Sequence, residues 1–216
     1  MKSTFASRAL ALLAGSTAVT AQFDFLSDLS TSPPFYLKVS APDNSSIDGR
    51  FLHACHTGAA TNTLCLGQHT PSTSDVAGKF YLKYKQSPDD GYLINNIKIL
   101  NGSTGNVELV AEPFRLALSA ATNVAMTWFS PEGFADGSIY AVKFTGDGLS
   151  LPIYPVDTDF REGVRPDPTG VDASSWYTCW VLAGSYYYNA LAWVTGGIPS
   201  NPTCRPVRVV KVDVQS

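Results

Sequence analysis

Three groups of residues in this chain have side chains suited to chemistry. The first is His53-Ala54-Cys55-His56, which holds two of the three histidines. Imidazole and thiolate can ligate a metal or drive nucleophilic catalysis. On a strand, however, side chains alternate, so His53 and Cys55 share one face and His56 takes the other. The two histidines therefore do not converge, and His69 stands apart from both. The second group is acidic: Asp157, Asp159, Glu162 and Asp167 in one stretch, Glu108 and Glu112 in another. Carboxyl pairs about 5 Å or about 6.5–9.5 Å apart hydrolyse glycosidic bonds. Sequence spacing does not set such a distance, and a solvated acidic loop is the simpler reading. The third group is aromatic: Trp176, Trp180, Trp193 and the run Tyr186, Tyr187, Tyr188, followed by Asn189. Aromatic faces stack on the C–H faces of sugars, while tyrosine hydroxyls and Asn189 offer hydrogen bonds. Three consecutive tyrosines on a strand cannot all point inward, so at least one is exposed. Trp180 and Trp193 are expected to pack near a disulfide.

The elements that position these groups are short strands. Phe35, Leu37 and Val39 alternate with Tyr36, Lys38 and Ser40, a period of two. Further strands are expected at Phe51–His56, Thr63–Leu66, Lys79–Lys85, Tyr92–Leu100, Val107–Ala111, Phe114–Leu118 and Val124–Phe129. Others follow at Ile139–Phe144, Leu149–Tyr154, Tyr177–Leu182, Asn189–Val194 and Val207–Val214. Asn101-Gly102 marks a hairpin and Gly146-Asp147-Gly148 another turn. Ala117–Ala121 is compatible with a helical turn, and no segment shows a sustained helical period with caps. About a dozen short strands imply an all-β fold, a β-trefoil in preference to a β-sandwich. No threefold repeat is evident in the sequence.

Residues 1–21 have the features of a secretory signal peptide. Lys2 and Arg8 precede the apolar Ala9–Ala14, and Val19-Thr20-Ala21 offers a small-residue cleavage site. Residues 22–34 are expected to form a flexible lead and 35–216 a single β domain, with a Pro/Asp/Gly-rich loop at 156–175. In an oxidising compartment four cysteines form two bridges. Cys55–Cys65 and Cys179–Cys204 are preferred, since each pair flanks a hairpin or loop. No Cys-x-x-Cys occurs, and neither metal nor cofactor is expected. Asn44-Ser45-Ser46 and Asn101-Gly102-Ser103 are glycosylation sequons, whereas Asn201 is followed by proline.

The formal net charge is −3, and loss of Lys2 and Arg8 makes it two units more negative. No basic stripe would track phosphates, so neither nucleic acid nor an anionic membrane is an expected partner. Val171–Cys204 carries one charged residue, Asp172, but Gly184, Ser185, Asn189 and the cysteines interrupt it. Buried strands are expected there rather than a membrane span. Gly-x-Ser-x-Gly is absent, and bridged cysteines make poor nucleophiles. With Gln22 as first mature residue there is no N-terminal histidine to hold copper.

Phe35-Tyr36-Leu37-Lys38 and the segment Phe51–Asn62 resemble the opening of a family of secreted fungal proteins with no assigned function. Trp176-Tyr177-Thr178-Cys179-Trp180, Leu191-Ala192-Trp193 and Cys204-Arg205-Pro206-Val207 are similar to the Trp-x-x-Cys, Leu-x-Trp and Cys-x-x-Val pattern near its end. The likeness covers about a third of the mature chain, and Cys55 and Cys65 depart from the family pattern. It implies a secreted, wall-associated protein and brings no catalytic residues. It also implies that His56 hydrogen-bonds the turn at Thr57-Gly58. The resulting expectation is a non-catalytic, secreted fungal protein, in the cell wall or carbohydrate-binding, contacting polysaccharide through Tyr186, Tyr187, Tyr188 and Asn189. A hydrolase using two carboxylates, and an effector or antigen-like protein that binds a host protein, are the alternatives. Oligomeric state is not legible.

Overall fold

The computed structural model describes residues 24–71, 76–131, 139–153, 162–163 and 171–214. The expected signal peptide, Asp157, Asp159 and Asp167 lie outside the described residues. Within them the protein is all-β and its strand pairings are antiparallel, as the alternating sequence requires. No helix among the described residues is long and apolar enough to cross a membrane.

Twelve strands carry the architecture: β2 (Phe35–Ser40), β3 (Leu52–Gly58), β4 (Thr61–Leu66), β5 (Phe80–Ser87), β6 (Asp90–Leu100), β7 (Val107–Ala117), β8 (Val124–Phe129), β9 (Ala141–Thr145), β10 (Gly148–Ile153), β12 (Trp176–Ala183), β13 (Tyr186–Val194) and β15 (Arg208–Asp213). Three short strands, β1 (Ser30–Thr31), β11 (Val171–Ala173) and β14 (Arg205–Pro206), add to their edges.

Six of the strands follow one another around a ring. β15 pairs with β2, β2 with β5, β5 with β6, β6 with β9 and β9 with β10. β10 then lies against β15, so closely that a Cβ added to Gly148 would meet the Val209 carbonyl oxygen at 2.6 Å. The other six form three hairpins, β3–β4, β7–β8 and β12–β13. Their inner strands pair in a triangle. Asn62 of β4 faces Phe129 of β8, Val124 of β8 faces Val194 of β13, and Ala190 of β13 faces Cys65 of β4. At its centre Thr63 Oγ1 donates to the Thr127 carbonyl at 2.6 Å, and Thr127 Oγ1 to the Leu191 carbonyl at 2.8 Å. These hydroxyls meet the hydrogen-bonding demand of a buried junction where strands diverge.

One continuous hydrophobic cluster joins ring and hairpins, with Phe35, Leu37, Phe80, Leu82, Leu93, Phe114, Phe129, Leu149, Trp176 and Leu191 all buried. Each such side chain stabilises the fold by roughly 1.5–3 kcal/mol. The Trp176 indole N–H donates to the Leu149 carbonyl at 2.7 Å, pinning the third hairpin to the ring. A second cluster around Val181, Ala190 and Val194 surrounds the Cys179–Cys204 disulfide. The other disulfide, Cys55–Cys65, ties β3 to β4. Both bridges are those preferred from the sequence.

Three expectations need correction. Residues 24–34 are not a loose lead in the structure. Leu26 is buried, β1 pairs with β5, and Ser32 and Leu82 exchange hydrogen bonds. The expected break between Val107–Ala111 and Phe114–Leu118 is absent, because Pro113 sits opposite Ile94 without ending β7. Tyr36, on the expected outer face of β2, is buried because Phe51 covers it edge-on with ring centroids 5.8 Å apart.

Candidate functional site

The hairpin β12–β13 is built from aromatic and β-branched residues, which suit a pleated surface. Its turn is Gly184-Ser185. Gly184 has φ +61°, and a Cβ there would lie 2.0 Å from the Thr57 carbonyl oxygen. Glycine is thus required twice, by conformation and by the close seat of the turn on β3.

Pairing sorts the aromatic side chains. Trp180 opposes Asn189 and Leu182 opposes Tyr187, and these four share one face. Val181 opposes Tyr188 and Ala183 opposes Tyr186 on the other. On the first face the rings of Trp180 and Tyr187 stack with centroids 5.2 Å apart and planes 19° apart. They are 45% and 64% exposed, and Leu182 beside them is 65% exposed. Trp180 is held from both sides of its backbone: its N–H donates to Thr203 Oγ1 at 3.0 Å, and its carbonyl accepts from Asn201 Nδ2 at 2.9 Å. The neighbouring Cys179–Cys204 disulfide anchors the same segment. The Asn189 Oδ1, on this face, is buried with no hydrogen-bond partner.

On the second face Tyr186 and Tyr188 stack at 5.9 Å, and His56 meets Tyr186 edge-on at 5.9 Å. The Tyr188 hydroxyl donates to the His56 carbonyl at 2.9 Å. Tyr188 is therefore half-buried and bonded within the fold, while Tyr186 is 45% exposed.

The four expected contact residues thus divide. Tyr187 and Asn189 share a face, and Tyr186 and Tyr188 take the other. Trp180, expected in the core, instead completes the exposed stack, whereas Trp193 is buried edge-on against Trp176 at 4.9 Å. The pairing of Trp180 with the tyrosine run was latent in the hairpin register, which follows once the turn is placed at Gly184-Ser185.

The other chemistry-bearing groups are dispersed. His53 Nε2 lies 3.3 Å from Cys55 Sγ on the shared face expected for them. His56 does not brace the turn through its side chain; Thr57 Oγ1 does so by donating to the Thr61 carbonyl at 3.0 Å. No cluster of three or more His, Cys, Asp or Glu suited to a metal occurs among the described residues. Glu108 and Glu112 stand four residues apart on β7, about 13 Å along a strand, too far to act as a pair. Glu108 is exposed and accepts from Asn101 Nδ2 at 2.8 Å. Glu112 is fully buried, with Oε2 accepting from Asn62 Nδ2 at 2.6 Å and Oε1 unpartnered. Burial raises its pKa to about 7, against the smaller opposing pull of the Asn62 hydrogen bond. Glu162 is exposed. Asp28 and Asp90, not singled out from the sequence, line one cleft of about 620 Å³ together with Lys83 and Lys85. The sequon residues Asn44 and Asn101 both sit in turns, each bridging residues two positions on through its own Oδ1.

No curated protein and no solved structure matches the chain. A family model described as a domain of unknown function (DUF7907) matches residues 32–213, nearly the whole folded region from before β2 to the end of β15. The chain belongs to that family.

Proposed function

We propose that the protein acts outside the cell as a non-catalytic carbohydrate-binding β-trefoil, meeting a polysaccharide of the cell wall through the platform on β12–β13. The observation that carries this reading is the exposed, preorganised stack of Trp180 on Tyr187. Ordered aromatic planes offer a large contact area with little entropy to lose on binding. Leu182 extends the apolar surface, and Asn189 brings a polar side chain to the same face. Two disulfides suit an oxidising compartment. The ring of six strands and the triangle of three hairpins support the trefoil over the sandwich. Sequons in turns at Asn44 and Asn101 suit glycosylation during export.

The test is retention on insoluble chitin, β-1,3-glucan, cellulose and mannan, followed by titration of soluble fragments. Trp180→Ala and Tyr187→Ala are each expected to lower affinity about tenfold or more, a loss of ~1.4 kcal/mol or greater, with thermal stability unchanged. Tyr188→Ala is expected to destabilise the hairpin instead. Binding unchanged in both platform variants would overturn the proposal. Release of reducing sugar from the same polymers would point to the two-carboxylate hydrolase.

A further inference from the structure

A cleft of about 460 Å³ lies between the turn that follows β2 and the chain leading from β14 into β15. Pro42, Asp43 and Asn44 stand on one side, and Arg205, Pro206 and Arg208 on the other. Both sides lie well inside described stretches of the chain. The volume falls within the ~300–1,000 Å³ typical of small-molecule sites.

Asn44 opens the sequon Asn44-Ser45-Ser46, so the cleft carries a point of covalent attachment in its own wall. The asparagine is held in place for it. Its Oδ1 accepts from the Ser46 N–H at 3.3 Å and from the Ser46 hydroxyl at 2.7 Å, which fixes the amide plane. Its backbone donates to the Ala41 carbonyl at 2.8 Å and accepts from the Asp48 N–H at 3.0 Å. The amide Nδ2, where a sugar would be joined, is not enclosed and has no partner among the described residues.

The facing wall suits a sugar. Arg208 is exposed, and its guanidinium has no partner among the described residues. Arg205 turns Nη1 back to the Pro202 and Cys204 carbonyls at 3.0 and 2.9 Å, which anchors its guanidinium at the cleft. Asp43 is an exposed acceptor on the near side, while Asp48 beside it is engaged by the Ala41 N–H at 2.7 Å. Two guanidiniums and two carboxylates offset one another, so a neutral occupant fits better than an ion. Donors and an acceptor match sugar hydroxyl and acetamide groups, and the rings of Pro42 and Pro206 offer apolar faces. Walls this exposed would hold a free sugar only weakly. A sugar joined to the wall is different, because a short tether gives it an effective concentration on the order of millimolar.

We propose that the cleft seats the first sugars of an N-linked glycan carried by Asn44, which thereby clamps the turn after β2 to the start of β15. The proposal rests on the export half of the reading above and not on the platform.

The test expresses the full chain, with residues 1–21 as its leader, in a yeast that secretes and N-glycosylates. Peptide mass spectrometry is expected to find a glycan on Asn44 of the secreted protein. An endoglycosidase that cuts between the first sugars is expected to release it from the native parent about tenfold more slowly than from native Arg208→Ala. Asp43→Ala, on the opposite wall, is expected to speed release in the same direction, and all three rates are expected to converge in urea. Complete removal is expected to lower the melting temperature of the parent and leave that of Arg208→Ala unmoved. Any glycan on Asn101 is common to these proteins and cancels in the comparison. Equal release from the native parent and both variants would overturn the seating. A secreted protein with Asn44 bare would overturn the proposal while export stands, and a chain retained in the cell without glycan would overturn both. Polysaccharide retention by Trp180→Ala reports on the platform alone.

Discussion

Glu112 shows how a single carboxyl couples the fold to pH. It is buried opposite Asn95 across the β6–β7 ladder. The Asn95 Oδ1 and Glu112 Oε1 are both buried and unpartnered. Two acceptors facing one region favour a proton on the carboxyl. Burial raises its pKa from the ordinary 4.5 to about 7 in the folded state. Between those values the folded state holds more protons, so stability falls as pH rises through that window and stays low above it. The loss is on the order of 2–4 kcal/mol. Glu112→Gln keeps an acceptor for Asn62 and offers an N–H towards Asn95. We expect it to be more stable than the parent at pH 8 and to show no such slope between pH 4.5 and 7; urea unfolding across pH measures both. The sequence offered Glu112 only as a candidate carboxylate and not as a buried one, because its partner Asn62 lies 50 positions away. The tyrosine run was legible in part for the same reason. Alternation tells which side chains share a face, but a third element decides which face is covered. The β3 backbone covers Tyr188, and Trp180 is left open.

At the scale of elements, turns were the most legible feature. The loop opened by Asn101-Gly102 joins β6 to β7 and Gly146-Asp147 joins β9 to β10; the positive φ that few residue types tolerate falls on Gly105 (+70°) in the first and Gly148 (+104°) in the second. Gly184 adds a tertiary demand to a local one. Gly184→Ala would strain a positive φ and drive a methyl into the Thr57 carbonyl. We expect a loss of about 2–3 kcal/mol in thermal or urea unfolding, with the platform's polysaccharide retention falling alongside. Pro113 marks a change of partner within β7. A proline commonly ends a strand; here it ends the ladder with β6, and Phe114 beyond it takes up the ladder with β8, so β7 runs on unbroken. The segment before β2 looked loose because Ser and Pro dominate it. Its order comes from one apolar residue, Leu26, and from the backbone partners that β5 supplies.

At the scale of the whole molecule the sequence was least open. Thr63, Thr127 and Leu191 meet at the centre of the triangle of hairpins, spaced 64 residues apart in turn. The spacing is regular, but the residue types are not. Packing at such a junction asks for volume and one hydroxyl chain, not for identity, so no repeat surfaced. The all-β class was legible because alternation survives any change of side chain within its polarity class. Domain-scale topology was not, since the pairing of β2 with β15 joins the two ends of the fold. That pairing runs from Phe35 opposite Asp213 to Ser40 opposite Arg208, and it has a consequence for how the chain may be cut and rejoined. A short Gly/Ser linker between the two ends, with new termini opened at Gly146-Asp147, would preserve each of the described pairings. Such a circular permutant is expected to retain the parent's far-ultraviolet circular dichroism and cooperative melt. A molten or insoluble product would show that the order of synthesis, and not only the set of contacts, is needed to reach this fold.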